Sequence, residues 1–319
     1  MTSVTGNDLA EQAARHRREL HVHCYRMLGS FEEAEDAVQE TLLRVWRFRH
    51  RFDETAGAGL RAWLYRIATN VCLDAIKSKG RRVTSYHSFA EVPWLQPYPD
   101  RLLDELADPA EGPDAVVVAR ETIELAYLAV IQLLPARQRA VLLLRDVLEW
   151  SAAETAEALE LSVAAANSAL QRARATVQQH STERLTESAS SPSEDERTLL
   201  QAFIDTHESG DIESSLALLR DDIRVTMPPH PYLYEGRAAI VPLIKRAFDD
   251  DEYSDWRLVA AWANRQPAAI SYVRRPGDTR YRAFKIDVLR VEDGLIREIT
   301  TFGAGLHAAF GQPEILVAG

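Results

Sequence analysis

Cysteine is nearly missing from this 319-residue chain: Cys24 and Cys72 are the only two, and they form no C-x-x-C pair. A disulfide framework and a cysteine-based zinc site are thereby excluded. No apolar stretch approaches the roughly 18 uninterrupted residues of a membrane-spanning helix. The N-terminus, MTSVTGNDLAEQAARHRREL, has acids and polar groups where a secretory leader needs an apolar run. A cytoplasmic protein without a membrane partner is expected.

Positive charge is also in deficit, with 37 Lys and Arg against 48 Asp and Glu, a net charge of -11. Even acidity would repel nucleic acid, so the distribution matters more than the sum. Residues 1–82 carry a net +3, 83–114 a net -6, 115–182 a net -1 and 183–319 a net -7. One basic segment therefore precedes an acidic connector, and most of the remaining acid surplus lies in the C-terminal part.

Periodicity divides the chain into a helical module over 8–82, a Pro-containing acidic linker over 83–114, a second helical module over 115–180, a polar linker over 181–194 and a third unit over 195–319. The third unit begins with helices near 195–209 and 211–220. Strand-like alternation follows in Trp256-Leu258-Ala260-Trp262, in Phe284-Ile286-Val288, and through the Asp293-Gly294 turn into Ile296-Glu298-Thr300. Two all-α modules followed by an α+β domain is the fold class expected.

In the first module, the segment from Phe31 to Arg47 splits at 100° per residue. Phe31, Ala34, Val38, Leu42 and Val45 share one side, while Asp36, Gln39, Glu40, Leu43 and Arg47 share the other. A solvated face is the ordinary reading, but apolar Leu43 among carboxylates and an amide suits a docking face for a basic partner. The helix from Leu60 predicts a buried stripe of Leu60, Leu64, Ile67, Val71 and Ala75, with Trp63, Arg66, Asn70 and Lys77 in a band opposite. An aromatic, an amide and two cations on one face can stack, hydrogen-bond and neutralise phosphate, which is what single-stranded DNA demands. Trp63 taken alone reads equally well as a half-buried core residue.

In the second module, Ser151 with Glu154 and Ser162 mark two helix starts around a tight turn at Glu160-Ser162, giving a helix-turn-helix. Val163, Ala166, Leu170, Ala173 and Val177 are expected inside. Asn167, Ser168, Gln171, Arg172 and Arg174 lie opposite, and those side chains suit base edges and phosphates of duplex DNA. A generic helical hairpin can share this pattern.

AEDAVQETLLRVWR followed by LRAWLYRIATNVCLDAIKSKGRR resembles region 2 of an extracytoplasmic-function sigma factor of bacterial RNA polymerase, and the helix-turn-helix resembles sigma region 4. The resemblance implies that Asp36, Gln39, Glu40 and Leu43 dock on core polymerase at the β′ clamp, with the β subunit a further partner. It implies that Phe52 and the Asp53–Gly59 loop border a pocket for an extruded base of the minus-ten element, with Asn70 and Asp74 against the bases. It adds Arg145 to the minus-thirty-five contacts. The acidic connector would then lie in a basic polymerase channel as an RNA mimic, a disordered spacer being the alternative.

Residues 196–319 resemble the SnoaL-like branch of a cone-shaped α+β fold, on Ser209-Gly-Asp, Asp221-Asp-Ile, Tyr234-Glu-Gly-Arg and the terminal hairpin. The order of the three parts is similar to the sigma-G type of these factors. Such cones enclose a pocket, for which His230, Tyr232, Trp262 and Asp287 are the candidates, with Tyr234 and His307 beside them. No position commits any of them to catalysis, and no cofactor is implied. His21, His23 and Cys24 offer no metal site, because residues 21 and 23 of a helix point about 200° apart; they are expected as surface and core residues.

A promoter-specificity subunit that binds core polymerase and promoter DNA and performs no covalent chemistry is the reading adopted. An anti-sigma factor and a small apolar ligand of the C-terminal domain are left open. The rivals are a polyketide-cyclase-like enzyme with helical appendages and a ligand-sensing helix-turn-helix repressor.

Overall fold

The computed structural model describes residues 6–52, 59–80, 92–104, 123–181, 193–248 and 255–317. Two compact units are present, one drawn from residues 1–86 and 106–186 and the other from 87–105 and 187–319.

The first unit opens with α1 (Gly6–Arg15), α2 (Arg17–Leu28), α3 (Phe31–Phe48) and α4 (Leu60–Lys79). Gly29, at φ 73°, ends α2 in the left-handed region, and Ser30 caps α3 by accepting from the Glu33 N–H at 3.3 Å. As its pattern requires, α3 buries Ala34, Val38 and Val45, together with Ala37 and Thr41. The buried face of α4 is rotated from the expected stripe: Leu64, Tyr65, Ala68, Thr69, Val71, Cys72 and Ile76 are inside, whereas Leu60, Ile67 and Ala75 are only half-buried. The helix packs against both α2 and α3, so two directions of contact replace a single stripe.

His21 and His23 are both buried, which corrects the surface assignment for one of them. His21 packs edge-on to Phe31 and His23 edge-on to Tyr65. Thr69 spends its one proton on the Tyr65 carbonyl at 2.7 Å, so His23 Nε2 must donate to the Thr69 hydroxyl at 2.8 Å. Burial pushes His23 down to about 3, which keeps the ring neutral.

The remainder of this unit comprises α6 (Leu125–Gln132), α7 (Ala136–Leu142) leading into a π-helical turn at Leu143–Val147, α8 (Ala152–Ala158) and α9 (Val163–Ser181). Every residue of α6 is buried. Buried Arg139 donates to the carbonyls of Ile131, Gln132 and Leu134 at the end of α6, and to the Met27 carbonyl at the end of α2. The guanidinium fork thus satisfies the electronegative ends of two helices, one from each helical module. Ser151 and Glu154 form the expected capping box, and Ser162 accepts from the Ala165 N–H at 3.1 Å.

In the second unit, α10 (Glu194–Ser209), α11 (Ile212–Ala217) and α12 (Arg237–Ala247) accompany β1 (Leu219–Met227), β2 (His230–Glu235), β3 (Asp255–Ala263), β4 (Gln266–Arg274), β5 (Arg280–Glu292), β6 (Leu295–Gly303) and β7 (Ile315–Val317). The strand order is β2-β1-β6-β5-β4-β3, with β7 on β5; β1 and β6 are parallel and the other pairs antiparallel. Leu199, Leu200, Phe203 and Ile204 of α10 join Val225, Trp256, Leu289 and Ile299 of the sheet in one core. Strand β4 is buried almost throughout, as expected of a strand covered on both faces.

A register shift in the β4–β5 pairing sets Ser271 opposite Lys285 and Tyr272 opposite Ala283, leaving Phe284 as the extra residue of a bulge. The bulge separates Phe284 from the Ile286-Val288 face to which simple alternation assigns it. Phe284 and Leu289 belong to the helix-covered core, while Ile286 and Val288 do not.

Residues 92–104 are an ordered part of this second unit. They include a short helix, α5 (Asp100–Asp104), and a bridge between Pro99 and Ala263 at the edge of β3. Asn264 and Arg265, both at positive φ, turn β3 into β4. Arg265 N–H donates to Asp100 at 2.9 Å, its guanidinium pairs with Asp104, and Arg101 donates to the Ala309 carbonyl at 3.0 and 2.6 Å. For these residues the extended acidic spacer gives way to a docked strap; residues 83–91 and 105–114 lie outside the described ones.

Candidate nucleic-acid interface and ligand cavity

On α3, Asp36, Gln39 and Leu43 are exposed and Glu40 is half-buried. Leu43 is 59% exposed, and Trp46, one turn further on, is 45% exposed with the Arg49 guanidinium 4.4 Å over its ring. Trp46 was not among the expected docking residues, although its spacing of three from Leu43 extends the same face. Two neighbouring large apolar side chains are thus left to water on one face of α3.

On α4, Trp63 and Arg66 are half-buried, Lys77 is exposed, and Asn70 donates back to the Arg66 carbonyl at 3.0 Å. Phe52 and Trp63 come together with ring centroids 5.2 Å apart. The rest of the predicted base pocket, residues 53–58, lies outside the described ones. Asp74 is held 3.0 Å from Arg44, which also pairs with Glu40 at 2.7 Å, so one cation ties the predicted docking face to the predicted base-contacting face. Arg66 pairs with Glu157 of α8 at 3.3 Å.

On α9, Asn167, Ser168, Gln171, Arg172 and Arg174 are all exposed, backed by buried Ala166, Ala169, Leu170 and Ala173. Val163, expected inside, is 47% exposed because it falls in the first turn, ahead of the packed stripe. Arg174 makes a two-pronged contact with Asp146 at 2.9 and 2.6 Å, and half-buried Arg145 donates to the Trp150 carbonyl. Exposed ion pairs of this kind stabilise by about 1 kcal/mol or less.

The second unit holds a half-open cavity of about 370 Å³ between its helices and the curled sheet. His230 and Asp287 are among the residues lining it, whereas Tyr232 and Trp262 are not; Tyr232 instead stacks on His230 from outside. Tyr234 packs against the core, and His307 is buried with Nδ1 2.8 Å from the Ala304 carbonyl. Asp287 is fully buried, accepting from the Thr301 hydroxyl at 2.6 Å and lying 2.8 Å from Lys285 Nζ. Lys285 also sits over the Trp256 ring.

Burial, reinforced by Lys285, pushes His207 down to about 3, and its ring packs against Phe203, Phe248 and Trp256. The sequence reading missed Lys285, His207 and Thr301. Alternation from Asp287 back to Lys285 and the cross-strand pairing of Asp287 with Thr301 are the signals that connect two of them.

Among the described residues no group of His, Cys, Asp and Glu could hold a metal ion, and no helix is long and apolar enough to cross a membrane.

Comparison with known proteins matches Sigma-70 region 2 to residues 13–82, Sigma-70 region 4 to 124–177 and a SnoaL-like domain to 200–299. The combination defines a sigma factor carrying a C-terminal SnoaL-like domain. The ECF RNA polymerase sigma factor SigG of Mycobacterium tuberculosis is 39% identical over 326 aligned positions, spanning 97% of this chain and 85% of that protein. SigJ of the same organism is 30% identical over 210 positions, 66% of this chain and 62% of that protein. The crystal structure of the M. tuberculosis extracytoplasmic function sigma factor SigJ has the same fold, with a TM-score of 0.61 and 24% identity, covering 95% of this chain and 99% of that one. The chain belongs to the extracytoplasmic-function RNA polymerase sigma factors.

Proposed function

We propose that the α3 face of Asp36, Gln39, Glu40 and Leu43, extended by Trp46, docks on the β′ clamp of core polymerase, with the β subunit a further contact. The α4 band of Trp63, Arg66, Asn70 and Lys77, with Phe52 and Asp74, holds the melted minus-ten strand. Helix α9, through Asn167, Ser168, Gln171, Arg172 and Arg174 and with Arg145 beside it, reads the minus-thirty-five duplex. The carrying observation is that α9 buries Ala166, Ala169, Leu170 and Ala173 while leaving every one of its predicted DNA-facing polar side chains in solvent. With a net charge of -11 the free chain binds DNA weakly and needs polymerase to hold it on the promoter.

The C-terminal domain regulates rather than catalyses. Asp287 is already ion-paired and hydrogen-bonded, which suits a structural carboxylate better than a desolvated general base. Its hold on residues 98–104 gives it a handle on the segment joining regions 2 and 4. The factor acts in the cytoplasm, without a membrane partner, and an anti-sigma factor is a natural competitor for the exposed α3 face.

Run-off transcription with purified core polymerase tests the reading. Transcripts should depend on this chain; duplex binding without polymerase dependence would favour a repressor. A chain ending at residue 193 should transcribe at an altered level, and complete loss from a folded truncation would contradict the regulatory role.

A further inference from the structure

Arg44 stands on α3 one turn after Glu40, and its guanidinium reaches across to Asp74 on the neighbouring α4. Its Nε donates to Glu40 Oε1 at 2.7 Å and its Nη1 to Asp74 Oδ2 at 3.0 Å. Only one oxygen of each carboxylate is used: Glu40 Oε2 and Asp74 Oδ1 accept no hydrogen bond among the described residues. The Arg44 side chain is 28% exposed against 41% for Glu40 and 66% for Asp74, so an incoming partner meets the two carboxylates first and the cation behind them.

A bare carboxylate at Asp74 would repel the phosphates of a single strand, whose binding depends on neutralised charge. Held against Arg44, the same group has its charge offset, while Oδ1 can still accept from an exocyclic base amine. The offset is shared, because Glu40 draws on the same guanidinium. A basic polymerase surface that pairs with Glu40 reduces that draw and leaves the cation to Asp74 and the strand. Both contacts are solvent-exposed and weak, so neither locks the guanidinium against such a shift. Docking and strand capture then strengthen one another by the same factor.

We infer that Arg44 is a positioning residue: lying between Glu40 and Asp74, it keeps the Asp74 carboxylate neutralised for the melted strand and passes to it the engagement of Glu40 by core polymerase. The inference rests on the reading above, in which α3 docks and Asp74 faces the minus-ten strand.

The full-length chain assembled with core polymerase is titrated with a short fluorescent single strand of randomised sequence, with core polymerase alone as the blank. Arg44→Gln should weaken strand binding about five- to tenfold at low salt, and less as salt rises. Asp74→Asn added to Arg44→Gln should restore it to within about twofold of wild type, since no carboxylate is left to offset. Arg44→Lys, a point charge that cannot span both carboxylates, should recover only part of the loss. Affinity of the Arg44→Gln chain for core polymerase should be unchanged or tighter, because Glu40 is released to its partner.

The relay is read by repeating the polymerase titration with saturating strand. The wild-type chain should gain severalfold in affinity, and Arg44→Gln should gain less. Equal gains overturn the relay. Wild-type strand affinity in Arg44→Gln, or a loss that Asp74→Asn does not relieve, overturns the positioning role. Parallel falls in polymerase affinity, strand affinity and melting temperature also overturn it, since they mark a residue that only braces two helices. A wild-type chain that adds nothing to the strand affinity of core polymerase sinks the reading of α4 and the inference with it, whereas a normal wild type beside an indifferent Arg44→Gln sinks the inference alone.

Discussion

Tyr98 and Asn264, 166 positions apart in the chain, bind each other reciprocally: the Tyr98 N–H donates to Asn264 Oδ1 at 2.7 Å and the Asn264 N–H donates to the Tyr98 carbonyl at 2.9 Å. Asn264 sits at φ 55°, where a short amide side chain is tolerated in the hairpin turn, so one residue both turns the strand and clasps the strap. Asn264→Gly keeps the turn and the backbone bond to the Tyr98 carbonyl but removes the side-chain acceptor of the Tyr98 N–H. Faster proteolysis within residues 92–104 and a loss of about 1–2 kcal/mol in urea unfolding are expected. Unchanged cleavage would show that Arg101 and Arg265 hold the strap unaided.

Arg139→Ala strips the cap from two helix ends and leaves several carbonyls unsatisfied. Destabilisation of about 3 kcal/mol in the first unit is expected, measured by chemical denaturation. Arg139→Lys should recover little of it, since a point ammonium cannot span carbonyls that a planar fork reaches. Full recovery by lysine would mean that charge alone matters.

His23 and His207 each titrate near 3 in the folded chain, well below the ordinary 6.5. The unfolded chain therefore binds protons first as pH falls. Their contribution is fully present above about pH 6.5 and is lost progressively towards pH 3, amounting to about 2 kcal/mol per histidine by pH 5. Urea midpoints at pH 7.5 and pH 5 check this, and His207→Phe, matched to its aromatic surroundings, should flatten part of the slope. A pH-independent midpoint would contradict buried neutral rings.

Leu43→Asp and Trp46→Ala should each weaken binding to core polymerase by about five- to thirtyfold while leaving the melting temperature nearly unchanged, because both side chains stand in solvent. Fluorescence anisotropy of the labelled chain against core polymerase gives the comparison. Wild-type affinity in both variants would move the docking face elsewhere.

Local chemistry was legible in the sequence. Ser151 with Glu154, Ser162, Gly29 and the Asp293-Gly294 turn each stop or start an element through groups within a few residues, and each does so in the fold. The polar face of α9 was legible for the same reason, being set by helical period alone.

What escaped depends on partners distant in the chain. The Asn264-Arg265 turn lacks the glycine that usually announces such hairpins, and its clasp on Tyr98 has no local signature. The α4 stripe was displaced because the helix packs on two neighbours. Phe284 left its expected face through one inserted residue, which period-two reasoning cannot foresee.

Arg139 belongs to the region 4 module yet completes the last turn of α2 in the region 2 module. Any rearrangement that parts the two DNA-reading modules must therefore uncouple that guanidinium from Met27 and let water take its place. Separation of the modules and fraying of α2 are one event, and a probe at the end of α2 would register the opening of the whole factor.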